Sequence, residues 1–169
     1  SADLPIEIIK NSEYEYLLEI EELMIKDLKK LFEKYEDLKK YIYTNKILVD
    51  PNVNSFAHSH PILTISRRYI TKEYPEEILL ATFIHEQFHW WSEQNWDKLK
   101  PFIEKILYER FPDIKTEYPH GSGDKIGTYN HIIVCFYEYK VLKELIDPKI
   151  AKKIIEGMPG YFDIYKIVL

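Results

Sequence analysis

Two histidines four residues apart, with a glutamate directly after the first, carry the strongest chemical signal in the chain: Ile84-His85-Glu86-Gln87-Phe88-His89-Trp90-Trp91. On a helix, residues four apart lie one above the other on the same face. His85 and His89 can therefore aim two imidazoles at one metal ion. Glu86 lies beside that face, where its carboxylate reaches a water activated by the ion without needing to bind the ion itself. Two nitrogen ligands, an activated water and a base are the parts of a zinc hydrolase. The bland alternative is a core helix whose histidines bond to neighbouring carbonyls. Burial weighs against it, because ionisable groups inside an apolar helix are costly unless paired or metal-bound.

The flanking residues predict that helix. Pro75-Glu76-Glu77 opens it, with proline in the first turn and acids near the positive end of the dipole. Ile78-Leu79-Leu80-Ala81-Thr82-Phe83-Ile84 continues it as a mostly buried run. Trp90 and Trp91 read as core anchors for its end.

The 169 residues suit one domain with a sizeable core. Apolar residues make up 46%, charged residues 30%, and the formal net charge is −5. Basic residues are scattered among acids, which argues against a nucleic-acid or anionic-membrane surface. With Cys135 as the sole cysteine, no intrachain disulfide forms. The start has no signal-like pattern and no apolar run is long enough to span a bilayer, so a reducing, cytoplasmic setting is expected.

Other elements follow from patterning. Residues 4–10 read as a short strand with an edge proline. Asn11-Ser12-Glu13 reads as a helix cap, leading into a long amphipathic helix to about Tyr43, with apolar positions at Tyr14, Leu17, Ile20, Met24, Leu28, Leu31, Tyr35, Leu38 and Ile42. Lys46–Asp50 is expected as a strand. His58 and His60 read as loop or strand-end residues near the site, with a ligand role as the alternative if the segment is extended, since alternate residues share a face. Ile62–Tyr69 reads as a strand, either an ordinary one of the sheet with Arg67 and Arg68 solvated or, in a hydrolase, one whose free edge pairs with an extended peptide. Asp97–Arg110 reads as a helix with Pro101 near its first turn. Pro119–Gly127 holds three of the five glycines. It lacks the spacing of a phosphate loop, which excludes a nucleotide site of that type, and reads as a mobile loop, a candidate flap. Thr128–Ile146 reads as a helix capped by Thr128, with His131 in its first turn and Glu138 two turns further on the same face. Asp147-Pro148 starts a short helix to Gly157, and Tyr161–Leu169 is expected as a final strand. No repeat, low-complexity tract or linker marks a boundary, so residues 1–169 are expected to form one domain.

A catalytic zinc wants a third protein ligand, and His131 or Glu138 can supply it; two turns of separation argue against both binding one ion. Three blocks bear on the choice: His60-Pro61-Ile62-Leu63-Thr64, Phe83 to Trp90, and Thr128-Tyr129-Asn130-His131-Ile132-Ile133-Val134-Cys135 with Glu138-Tyr139 behind. In order and spacing the chain resembles a family of small, largely uncharacterised HExxH proteins regarded as zinc-dependent metallopeptidases of the zincin type. The resemblance covers roughly residues 55–145. It implies an α+β, zincin-like domain in which long helices, one of them the HExxH helix, pack on a small mixed or antiparallel sheet. It also implies a histidine ligand on a later helix. Better-known patterns fit poorly. Ser92 and Asn95 stand where a metzincin has glycine and histidine, and Leu142 stands where a thermolysin-like enzyme has aspartate.

The expected centre is one catalytic zinc on His85, His89 and His131, with Glu138 the second choice as third ligand or else an orienter of a ligand histidine. Glu86 is the expected general base. Tyr129, then His120, then His60, are the candidates for an oxyanion donor. Cys135 reads as an inert packed thiol. The substrate is a peptide or small amide, with no nucleic-acid or membrane partner, and oligomeric state is left open. The alternatives are a non-catalytic metal-binding or partner-binding module, and a zinc amidase acting on a non-peptide substrate.

Overall fold

The computed structural model describes residues 4–11 and 13–169; the expected cap at Ser12 lies outside them. The chain is α+β, and its contacts gather into two compact units, one up to Trp90 and the other from Trp91 to Leu169.

The first unit carries a four-stranded mixed sheet: β1 (Glu7–Lys10), β2 (Lys46–Val49), β3 (Ala57–His58) and β4 (Leu63–Ile65), in the order β1-β2-β4-β3. The pairs β1–β2 and β2–β4 are parallel, and β3–β4 is antiparallel. Parallel neighbours need a crossover. Between β1 and β2 that crossover is α1 (Leu18–Lys34), followed by a 3-10 turn over Glu36–Tyr41. Leu17, Met24, Leu28, Leu31 and Leu38 are all buried, as their spacing predicts. The expected single helix to Tyr43 nevertheless breaks at Tyr35, which leaves the helical region at φ −112° and ψ 84°. Tertiary contacts account for the break: the Tyr35 hydroxyl donates to Glu76 at 3.3 Å and the Lys34 ammonium pairs with the same carboxylate at 2.7 Å.

The strand expected over Ile62–Tyr69 is shorter than its composition suggests. Ser66 ends it by donating to the Phe56 carbonyl at 2.8 Å and capping a 3-10 turn over Arg67–Thr71. It also has no unpaired edge. β4 lies between β2 and β3, so the expectation that a peptide adds along it is corrected.

Helix α2 (Pro75–Gln94) starts at the proline the sequence marks, with Glu76 and Glu77 in its first turn. Every residue from Leu79 to Phe88 is buried, polar ones included. A helix covered on all sides must find partners for its polar groups inside the fold. Thr82 donates to the Ile78 carbonyl at 2.7 Å. Gln87, fully buried, accepts from the backbone N–H groups of Tyr43 and Thr44 at 2.7 and 2.9 Å and donates to the Thr44 carbonyl at 2.8 Å.

The second unit takes in the last turn of α2, and its other elements among the described residues are helices: α3 (Trp96–Phe102), a π-helical stretch (Ile103–Leu107), α4 (Tyr108–Arg110), α5 (Lys125–Leu145), α6 (Pro148–Glu156) and α7 (Phe162–Val168). Helix α5 packs against both α6 and α7. Its cap is Asp124, whose carboxylate accepts from Gly127 N–H, and not Thr128; His131 therefore falls in the second turn. The final strand expected over Tyr161–Leu169 is also corrected, since that segment forms α7. Its β-branched and aromatic residues favour a strand locally. Burial of the consecutive Ile164 and Tyr165, with α7 packed on α5, fits one helical face instead. No helix of the described residues is long and apolar enough to cross a membrane.

Replacing Gln87 by leucine leaves two N–H groups and a carbonyl without their partner inside the fold. The unfolding free energy should fall by roughly 2–4 kcal/mol in urea titrations. A loss under about 0.5 kcal/mol would show that solvent readily takes over these bonds.

Candidate metal centre

In the first unit, α2 brings its two motif histidines together. The Nε2 atoms of His85 and His89 are 3.2 Å apart, with ring centroids at 4.9 Å. Zinc–nitrogen bonds of about 2.0–2.1 Å at a tetrahedral angle put two ligand nitrogens about 3.3 Å apart. The observed pair fits that separation. A hydrogen bond between one protonated and one bare nitrogen fits it as well. Glu86, only 8% exposed, sits on the helix directly after His85.

Trp90, expected as a core anchor, is half-buried and acts as a pin. Its indole N–H donates to the Ser59 carbonyl at 2.7 Å, and the His60 ring stacks on it at 4.1 Å with 14° between planes. The β3–β4 connection is thereby docked on the end of the first unit's share of α2. The His60 Nδ1 lies 2.8 Å from Ser59 Oγ. Among the described residues His58, His60 and His120 join no group of potential metal ligands.

The second unit holds His131 on α5. Its Nδ1 lies 2.9 Å from the Gly127 carbonyl, an acceptor, so Nδ1 carries the proton and Nε2 presents the lone pair. The ring stacks on Tyr161 at 4.4 Å, with 26° between planes. Glu138, two turns along α5, is 1% exposed and accepts from the Tyr165 hydroxyl at 2.9 Å. Cys135 is buried within the same helix, as expected of a packed thiol. Burial first, then Cys135 and Glu138, hold the Tyr165 phenol well above the usual tyrosine range.

Tyr129 is buried at 2%, and its hydroxyl donates to the Phe111 carbonyl. Burial foremost raises its pKa. That bond commits the hydroxyl to tying α5 to the end of α4. The glycine-rich segment, expected as a mobile flap, is internally bonded: Gly123 N–H donates to Thr116 at 2.7 Å, Gly121 N–H to Glu117 at 2.8 Å, and Ser122 N–H to Thr128 Oγ1 at 3.1 Å. His120 lies 3.4 Å from Asp163.

Two contacts have no signal in the sequence: Ser92 and Asn130 are joined by a hydrogen bond of 2.6 Å, and Trp91, read as a core anchor, meets Tyr137 ring to ring at 5.0 Å. These contacts fix the last turn of α2 on α5 within the second unit. Tyr161 and Tyr165 were hidden in a segment read as strand. The Pro159-Gly160 pair before Tyr161 is the turn signal that marks it.

Comparison of the chain with protein-family profiles, curated proteins and solved structures returns no match.

The raised Tyr165 pKa fixes the sign of an alkaline effect. The folded chain holds that proton where the unfolded chain releases it, so the contribution is whole below about pH 10 and is lost as pH rises through the folded value. The urea midpoint should therefore fall between about pH 9 and pH 11, and less steeply in Tyr165→Phe. At about pH 8 that variant should lose roughly 1–3 kcal/mol, because Glu138 keeps its burial without the bond.

Proposed function

We propose that the chain is a zinc-dependent hydrolase with a zincin-like fold, a metallopeptidase in its simplest form, in which His85, His89 and His131 hold one zinc ion. The observation that carries the reading is the 3.2 Å approach of the His85 and His89 Nε2 atoms on one helix face, next to Glu86. Support for His131 comes from its own surroundings: its Nδ1 is bound at the Gly127 carbonyl, which makes Nε2 the basic nitrogen a metal would take.

A zinc ion held by these residues would supply Lewis acidity toward a carbonyl oxygen and a neighbouring water. Glu86 takes the proton from that water and delivers it to the departing amine. Gln87 fixes the rotation of α2, so Glu86 keeps its aim. The Gly127 carbonyl holds His131 in the tautomer that offers Nε2. Glu138 is the alternative third ligand. Its bond from Tyr165 favours a structural part for it instead, holding α7 on α5. The substrate is a peptide or a small amide.

Purified protein should bind about one zinc per chain. Glu86→Gln should keep the metal and lose about 100-fold or more of its hydrolysis of a quenched-fluorescent peptide library. His131→Ala should weaken zinc binding far more than Glu138→Ala. The reverse order moves the ligand role to Glu138, and a chain that takes up no zinc removes the proposal altogether.

A further inference from the structure

We infer that Tyr161 is a positioning residue for the ligand histidine His131, and that the Thr116–Asp124 segment is the brace that sets Tyr161 in place. The inference rests on the reading of His131 as a zinc ligand. All of its parts lie within the second unit.

The hydrogen bond from Nδ1 to the Gly127 carbonyl fixes the tautomer of His131 but not the full orientation of its ring. The second torsion of histidine is broad, so an imidazole held at one corner still swings about that contact. The Tyr161 ring closes this freedom. It lies nearly parallel to the imidazole, 4.4 Å away, and leaves the ring edge bearing Nε2 as the part that can face a metal.

Tyr161 is in this position at a backbone cost. Its φ of 52° and ψ of 36° are left-handed, and it follows Gly160 at φ 94°. A bulky residue there is an outlier, strained in a way glycine is not. Glycine would make the same turn without strain, so the side chain, not the turn, accounts for a tyrosine at this place.

The surrounding contacts over-determine the turn. Tyr118 packs over Gly160 so closely that an added Cβ would meet its ring at 3.2 Å. Phe162 N–H donates to the Pro119 carbonyl at 3.3 Å, and His120 lies 3.4 Å from Asp163. The other end of the same segment caps α5 through Asp124 and bonds Thr128 through Ser122. One loop thus holds both the start of the helix that bears His131 and the turn that bears Tyr161. Gly121 lets it fold back on itself, since a Cβ there would lie 2.5 Å from the Lys115 carbonyl oxygen.

The test is zinc affinity, measured with zinc alone against a chromophoric chelator, beside the visible spectrum of the cobalt-loaded protein. Tyr161→Phe keeps the flat ring and should bind zinc within about twofold of the parent. Tyr161→Ala should bind about 10–100-fold more weakly and shift the cobalt bands, with its far-ultraviolet circular dichroism unchanged. If Tyr161→Ala does not fold, Tyr161→Leu, which keeps bulk without a flat face, is measured against the same expectation. Parent-like affinity and an unshifted cobalt spectrum in the alanine or leucine variant, with His131→Ala deficient in zinc, would overturn the positioning role and leave the ligand assignment standing. Parent-like zinc binding by His131→Ala would overturn both.

Discussion

Burial of helix α2 on every side is the constraint from which the rest follows. Between Leu79 and Phe88 no residue reaches solvent freely, yet the stretch contains Thr82, His85, Glu86 and Gln87. Each needs an internal partner, because an unsatisfied polar group at such a position costs a large share of a domain's net stability. Thr82 turns back on its own helix. Gln87 binds the backbone at Tyr43 and Thr44. His85 meets His89. Thr82, Gln87 and His85 are met in three different ways, and the imidazole pair is the one whose geometry also suits a cation.

The parts legible in the sequence are those set by local rules. Pro75 followed by two acids marks the start of α2, and Asp147-Pro148 with Gly157 brackets α6, because caps act over three or four residues. The sheet strands at Glu7–Lys10 and Lys46–Val49 stand out by their apolar β-branched content. What stayed hidden depends on contacts distant in sequence. Tyr35 leaves its helix toward Glu76, forty-one residues on. The segment after Gly160 carries strand-favouring residues and becomes a helix because α5 offers it a face to cover. Thr128 and Asp124 are both good caps, and only the bond at Gly127 decides between them.

The motif pair on α2 was likewise legible, because a spacing of four is a property of the helix alone. The surroundings of His131 were not. Its tautomer depends on the Gly127 carbonyl one turn back, and its ring neighbour comes from thirty residues downstream. Tyr129, the first of three candidate donors in the sequence, is bonded to the Phe111 carbonyl, a partner with no signature in composition or spacing.

The three bonds of Gln87 also serve as an azimuthal key. A helix of uniform apolar surface can spin within its socket at little cost, since one greasy face substitutes for another. Advancing the strand of residues by a single position would turn α2 by about 100°. It would leave the Tyr43 and Thr44 amides facing hydrocarbon. Within the buried stretch of α2 a neutral amide side chain thus sets angular registry, and its ionisable neighbours Glu86 and His85 share that bearing.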